Sequence, residues 1–146
     1  MQLEEQEFIK ATDEAVYQAL TDLTHYNDWN PWVIDCPEGL VDEGKLTEVT
    51  VKLGKKTMKV KHKIVTLQPN SRFVWCDTGW FTLFAFGQRE RTIEPWEGGV
   101  NYQVTLKVTG VLAFLAQWLY KKDLIVGLRA ESQALKRYCE EKSHHQ

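Results

Sequence analysis

The last third of the chain constrains its fold more than any other part. The stretch VLAFLAQWLYKKDLIVGLRAESQALKRYCEEK places Phe114, Trp118, Ile125, Leu128, Leu135 and Cys139 at alternating steps of four and three, with Lys121 and Ser132 on the same line. Leu112, Leu115, Leu119, Val126, Ala130 and Ala134 widen that stripe, so the spacing predicts one amphipathic helix. About 30 residues at the helical rise span roughly 45 Å, more than is needed to cap a small sheet. The apolar face must lie along a large surface, and the rest of the chain has to supply it.

That surface is legible between Lys45 and Thr109 as strands separated by turn signals at DEG, LGKK, QPNS, DTG and WEGG. Short turns between consecutive strands make an antiparallel meander. Val100, Tyr102, Val104, Leu106 and Val108 alternate with Asn101, Gln103, Thr105, Lys107 and Thr109, the pattern of a half-buried strand. Met58, Val60, His62 and Ile64 share one face, opposite Lys59, Lys61 and Lys63. The lysine run therefore reads as a solvated sheet face rather than a phosphate patch. Before the meander, LEEQEFIKA fits a polar first strand, and TDEAVYQALTDL a short helix. Thr12 is its expected N-cap, and Val16, Ala19, Leu20 and Leu23 form its buried stripe. HYNDWNPWVIDCPEG is kept irregular by Pro31 and Pro37, yet it carries Tyr26, Trp29 and Trp32, so some of these rings must cover something apolar.

The segment GQRERTIEP, Gly87 to Pro95, resists a simple pattern. Phe84 and Phe86 share one parity, whereas Arg89, Arg91 and Ile93 share the other. A bulge at Gly87 would shift the register by one residue and bring all five to the helix-facing side. Inward arginines need an anion. Either a bound ligand supplies it or an internal carboxylate does, the candidates being Glu5, Glu7, Asp77 and Glu90; without the bulge, the arginines face solvent.

Composition narrows the function classes. A formal net charge of -2 argues against a nucleic-acid partner. Cys36, Cys76 and Cys139 are widely spaced, lack a C-x-x-C pair and read as free thiols. With no leader-like segment and no apolar run near about 18 residues, this points to the cytoplasm and to no integral membrane segment. His144 and His145 read as a frayed polar tail rather than a metal tract. No G-x-S-x-G elbow, H-E-x-x-H helix, P-loop or dinucleotide fingerprint occurs, so no catalytic residue, metal or cofactor is implied.

A short helix, a curved meander and a long terminal helix make an α+β arrangement. The chain resembles the helix-grip (SRPBCC) superfamily that includes START lipid-transfer domains, the birch-pollen allergen group and the polyketide cyclase/dehydratase families. The resemblance rests on I-x-A-T-x-E-x-V-Y-x-A-L at Ile9 to Leu20, W-N-P-W at Trp29 to Trp32, and Gly44 opening the next strand. It extends to P-N-S-R-F-V-W at Pro69 to Trp75, and V-T-G-V-L-A-F-L leading to A-L-K-R-Y-C-E, which ends at Glu140. It implies one domain, residues 1–146, with a curved sheet wrapped around the C-terminal helix, short helices after the first strand, and a hydrophobic cavity between sheet and helix. Many bacterial relatives with W-N-P place His and an apolar residue where Arg89 and Arg91 stand, a departure that bears on any inherited activity.

Three functions follow as expectations. The leading one is non-catalytic binding or transport of a small hydrophobic or amphipathic ligand with an anionic end. Trp32, Trp75, Tyr102, Leu115 and Trp118 would form the apolar wall, and Arg89, Arg91 and His62 the polar end. The second is a cyclase- or dehydratase-like enzyme using His62 or an inward Glu as its acid-base group, although His62 reads first as a cavity-wall histidine. The third is an interaction module built on the Tyr26 to Trp32 loop or the long helix.

Overall fold

The computed structural model describes residues 1–40 and 42–144. Seven strands form one antiparallel sheet: β1 (Gln2–Ile9), β2 (Val33–Asp35), β3 (Leu46–Leu53), β4 (Lys56–Gln68), β5 (Arg72–Asp77), β6 (Phe86–Trp96) and β7 (Gly99–Thr109). Their spatial order is β1-β7-β6-β5-β4-β3-β2, so the first two strands occupy the two edges of a half-barrel. Helix α1 (Asp13–Thr21) follows β1, a 3-10 turn covers Leu23–Asp28, and α2 (Ala113–His144) runs through the concavity. This is the helix-grip arrangement that the resemblance implied. His145 lies outside the described residues, and His144 ends α2.

Local chemistry accounts for the elements. Thr12 caps α1, its hydroxyl accepting from the Ala15 N–H at 3.1 Å, and Val16, Ala19 and Leu20 face the core. A register shift between Ile64 and Thr66 leaves Val65 as an extra residue in β4. Such a bulge sharpens local twist and bends the strand, as a sheet that curls around a helix requires.

The concave side is divided along its length. At the end where Ile93 pairs with Tyr102, α1 and the C-terminal half of α2 close over Ile9, Val16, Leu20, Phe73, Leu128 and Leu135 in a continuous core. Toward the other end, where Gly87 pairs with Val108, the N-terminal half of α2 stands off the sheet and leaves a hollow.

Two expectations are corrected. No bulge exists at Gly87: β6 and β7 pair without a shift from Phe86 to Trp96. Phe84 lies outside the strand, beside a 3-10 turn at Trp80–Leu83, so only Phe86 shares the strand, on the face opposite Arg89. Regular alternation alone turns Gly87, Arg89, Arg91 and Ile93 inward. The second correction concerns α2. Leu128, Glu131, Ser132, Leu135 and Cys139 are buried, but Phe114 and Trp118 are 63% and 80% exposed. The first turns, VLAFLAQWLY, are apolar nearly all round, so their periodicity selects no face.

Candidate functional site

The hollow encloses about 320 Å³ between β3, β4, β6, β7 and the front of α2. Val51, Leu53, Met58, Val60, Leu106 and Val108 make its sheet wall, and Ala116, Tyr120 and Leu124 its helix wall. Trp32, His62, Trp75, Asp77 and Arg89 gather at its polar side.

Arg89 reaches this position from the middle of β6, and its charge is answered from α2. Its Nη1 donates to Glu131 Oε1 at 3.1 Å, with Arg89 5% and Glu131 2% exposed. Glu131 Oε2 accepts from Asn30 Nδ2 at 2.8 Å, while Asn30 Oδ1 accepts from the Trp32 and Val33 N–H groups, both at 2.9 Å. One buried chain thus joins sheet, helix and the W-N-P-W loop. The guanidinium also sits 4.5 Å from the Trp32 ring centre and 4.9 Å from that of Trp75. Trp32 in turn lies against Gly127, where an added Cβ would come within 2.5 Å of the indole Nε1.

His62 stacks on Trp75 with ring centres 4.7 Å apart. Its Nδ1 is 3.3 Å from the Cys76 carbonyl oxygen, which can only accept, so Nδ1 carries the proton and Nε2 keeps a lone pair. Burial, aided by the Arg89 guanidinium, pushes the imidazole pKa down to about 3, so the ring is neutral. Asp77 stands 3.6 Å from His62 Nδ1 and accepts the Gly87 N–H at 3.0 Å. Burial raises its pKa above the usual carboxylate value, against the opposing pull of that N–H and of Arg89. A Cβ on residue 87 would fall 2.5 Å from Asp77 Oδ2, so close approach of this carboxylate is what Gly87 permits.

Of the eight residues expected at the ligand, Trp32, His62, Trp75 and Arg89 border the hollow. Arg91 and Tyr102 are fully buried in the packed half, behind the wall. Leu115 is half-buried away from the lining, and Trp118 projects into solvent, so neither is part of the wall. Glu5 does not reach the inward arginines; it accepts from Arg129 at 3.2 Å, and Glu90 accepts both the Nε and the Nη2 donors of Arg72. The counter-ion of Arg89 is Glu131, which sequence reasoning missed. Its signal was a lone carboxylate at the helical steps between Leu128 and Leu135. No group of three or more potential metal ligands occurs among the described residues. Nor, among them, is any helix long and apolar enough to cross a membrane.

The profile of a family described as "Polyketide cyclase / dehydrase and lipid transport" matches residues 1–140. No curated protein matches the sequence. Among solved structures, the Zhui aromatase/cyclase from Streptomyces sp. R1128 superposes with a TM-score of 0.80 at 12% identity, covering 98% of this chain and 95% of that one. A START superfamily protein from Mycobacterium smegmatis gives 0.74 at 16% identity, covering 97% and 98%. Protein CV1439 from Chromobacterium violaceum gives 0.75 at 14%, covering 95% and 96%. At these identities the likeness is one of fold.

Proposed function

The chain belongs to the polyketide cyclase / dehydrase and lipid transport family, and from that premise we propose that it binds or carries a small hydrophobic or amphipathic molecule in the hollow between sheet and α2. The observation that carries this reading is the hollow itself, about 320 Å³ with mostly apolar walls and one polar side. The apolar body of the ligand packs against Val51, Val60, Leu106 and Leu124. Its polar end faces His62, Asp77 and Arg89, with Trp32 and Trp75 as flat walls beside it.

The charges at that side refine the ligand class. Arg89 is already paired with Glu131, and Asp77 adds a carboxyl group, so the side offers donors and acceptors rather than a free positive charge. A carbonyl- or hydroxyl-bearing ligand suits it better than the anionic end expected from the arginines alone. Three free, buried cysteines fit a reducing compartment, and we place the protein in the cytoplasm.

Native mass spectrometry of protein taken directly from cells tests the carrier reading: a co-purifying small mass is expected, along with stoichiometric uptake of an apolar fluorescent probe. A bare chain that takes up no probe overturns it.

One observation favours a catalytic alternative. Asp77, its pKa raised by burial, borders the same apolar hollow, as the acid-base group acting on a polyketide-like substrate must, and His62, too weak a base with its pKa near 3, offers its Nε2 lone pair as an acceptor that orients such a substrate. Turnover of such a substrate that survives both Asp77→Asn and His62→Phe excludes this alternative.

A further inference from the structure

Arg91 is the largest unexplained charge in the molecule. It is 0% exposed, and its Nε, Nη1 and Nη2 have no hydrogen-bond partner among the described residues. A guanidinium in a protein does not lose its proton, so it cannot escape burial by becoming neutral. The buried charged side chains among the described residues are Arg89, Arg91 and Glu131. Glu131 directs one oxygen to Arg89 and the other to Asn30, leaving one positive charge in the packed interior unanswered.

The surroundings of Arg91 indicate what answers it. Its guanidinium carbon lies 4.7 Å from the Phe73 ring centre and 4.4 Å from that of Trp75. These π contacts serve the charge, but they accept none of the five N–H bonds. Arg91 pairs with Val104 across β6 and β7, which makes Tyr102, two residues along on the same inward face, its diagonal neighbour. The Tyr102 hydroxyl is also buried without a partner among the described residues. Each is a buried donor left without an acceptor on neighbouring positions of one face, and an acceptor that carries negative charge would answer both.

We infer that Arg91, with Tyr102, binds a small monovalent anion of the formate or halide class, in a site separate from the ligand hollow. A single charge balances the interior, since Arg89 and Glu131 already cancel. Small size follows from burial, because Arg91 and Tyr102 are 0% and 1% exposed and neither borders the hollow. The site stands whether or not the hollow carries a ligand. It is a counter-ion site that holds β6 charged in the core.

Thermal unfolding of the full chain tests it, with sodium formate, chloride or bromide titrated at an ionic strength held constant with methanesulfonate. At tenfold the dissociation constant, the midpoint is expected to stand about 4 °C higher, and to go on climbing with the logarithm of anion concentration. In Arg91→Met that rise disappears. Because this variant could fail to fold, crystals of the unaltered chain soaked in bromide supply the second reading, an anomalous peak at hydrogen-bonding distance from Arg91. A parallel titration with decanoate separates the sources of negative charge: stabilisation by decanoate but not by formate assigns the anion to a carboxylate-bearing ligand and overturns the separate site. A flat titration, a bromide map with only water beside Arg91, or an undiminished response in Arg91→Met overturns it equally.

Discussion

Replacing Glu131 by Gln removes one charge and little volume, yet it leaves the Arg89 guanidinium buried with no carboxylate. Losing one partner of a buried pair typically costs about 3–5 kcal/mol, most of it the penalty of the stranded charge. Glu131→Gln is therefore expected to lower stability by that order in urea unfolding, and Arg89→Met combined with Glu131→Leu to recover much of it. Loss that is additive in the double variant would deny the coupling. His62 gives a second prediction, read through pH. The unfolded imidazole titrates near 6.5 and the folded one near 3, so between these values the unfolded chain holds a proton that the native chain refuses. Stability accordingly falls as pH drops through that window, by at most about 1.4 kcal/mol per unit. Asp77, facing His62 with a raised pKa, works the other way, since its native carboxyl keeps a proton above the unfolded value. His62→Phe keeps a ring against Trp75 and should flatten the acid limb of a stability-against-pH curve. A slope like that of the unaltered chain would place the acid sensitivity elsewhere.

At the scale of elements, α2 separates what its sequence pattern revealed from what it concealed. The buried line through Leu128, Leu135 and Cys139 was readable because polar residues flank it; the front of the helix was not, because Leu112, Phe114, Leu115, Trp118 and Leu119 surround it. A pair of substitutions measures the difference. Trp118→Ala removes the largest side chain on the helix from an 80% exposed position, and its effect on the unfolding midpoint should stay within about 0.5 kcal/mol. Gly127→Ala adds one methyl and gains up to about 1 kcal/mol of helix propensity. It nevertheless drives a Cβ to 2.5 Å from the Trp32 ring, which also packs on the Arg89 guanidinium, and a net loss of about 1–3 kcal/mol is expected. A stabilised Gly127→Ala would mean that Trp32 moves freely. The strands were more legible than the helix face because alternation is local: Val100 to Val108 needed no tertiary information. GQRERTIEP was legible in outcome and misread in cause. The strand needs no bulge to turn its arginines inward, because it begins at Phe86 and the parity of Phe84 sets no constraint on it. Glu131 and Asn30 lie 101 residues apart, and nothing local in either segment announces the other.

For the whole molecule, the central question is whether the hollow or the outer apolar surface receives the ligand. One half of the concave face is filled by α1 and the back of α2, as a stable core demands; the other half is hollow while large rings stand exposed nearby in sequence, with Trp80 at 77% and Phe114 at 63% exposure. An apolar probe could adhere to such rings without entering anything, so uptake alone does not locate the site. Filling the hollow does. Ala116→Trp places an indole into the space from α2, clear of the Arg89–Glu131–Asn30 chain, and Leu106→Trp does so from the sheet opposite, beside its cross-strand partner Arg89. Removing apolar void restores dispersion contacts that the lining lacks, so at least one variant should keep or raise the unfolding midpoint while binding the probe at least about tenfold more weakly. Trp118→Ala, altered only outside, should bind as the unaltered chain does. The reverse result, with full binding in both filled variants and loss in Trp118→Ala, would move the ligand to the surface and leave the hollow a packing feature of the grip.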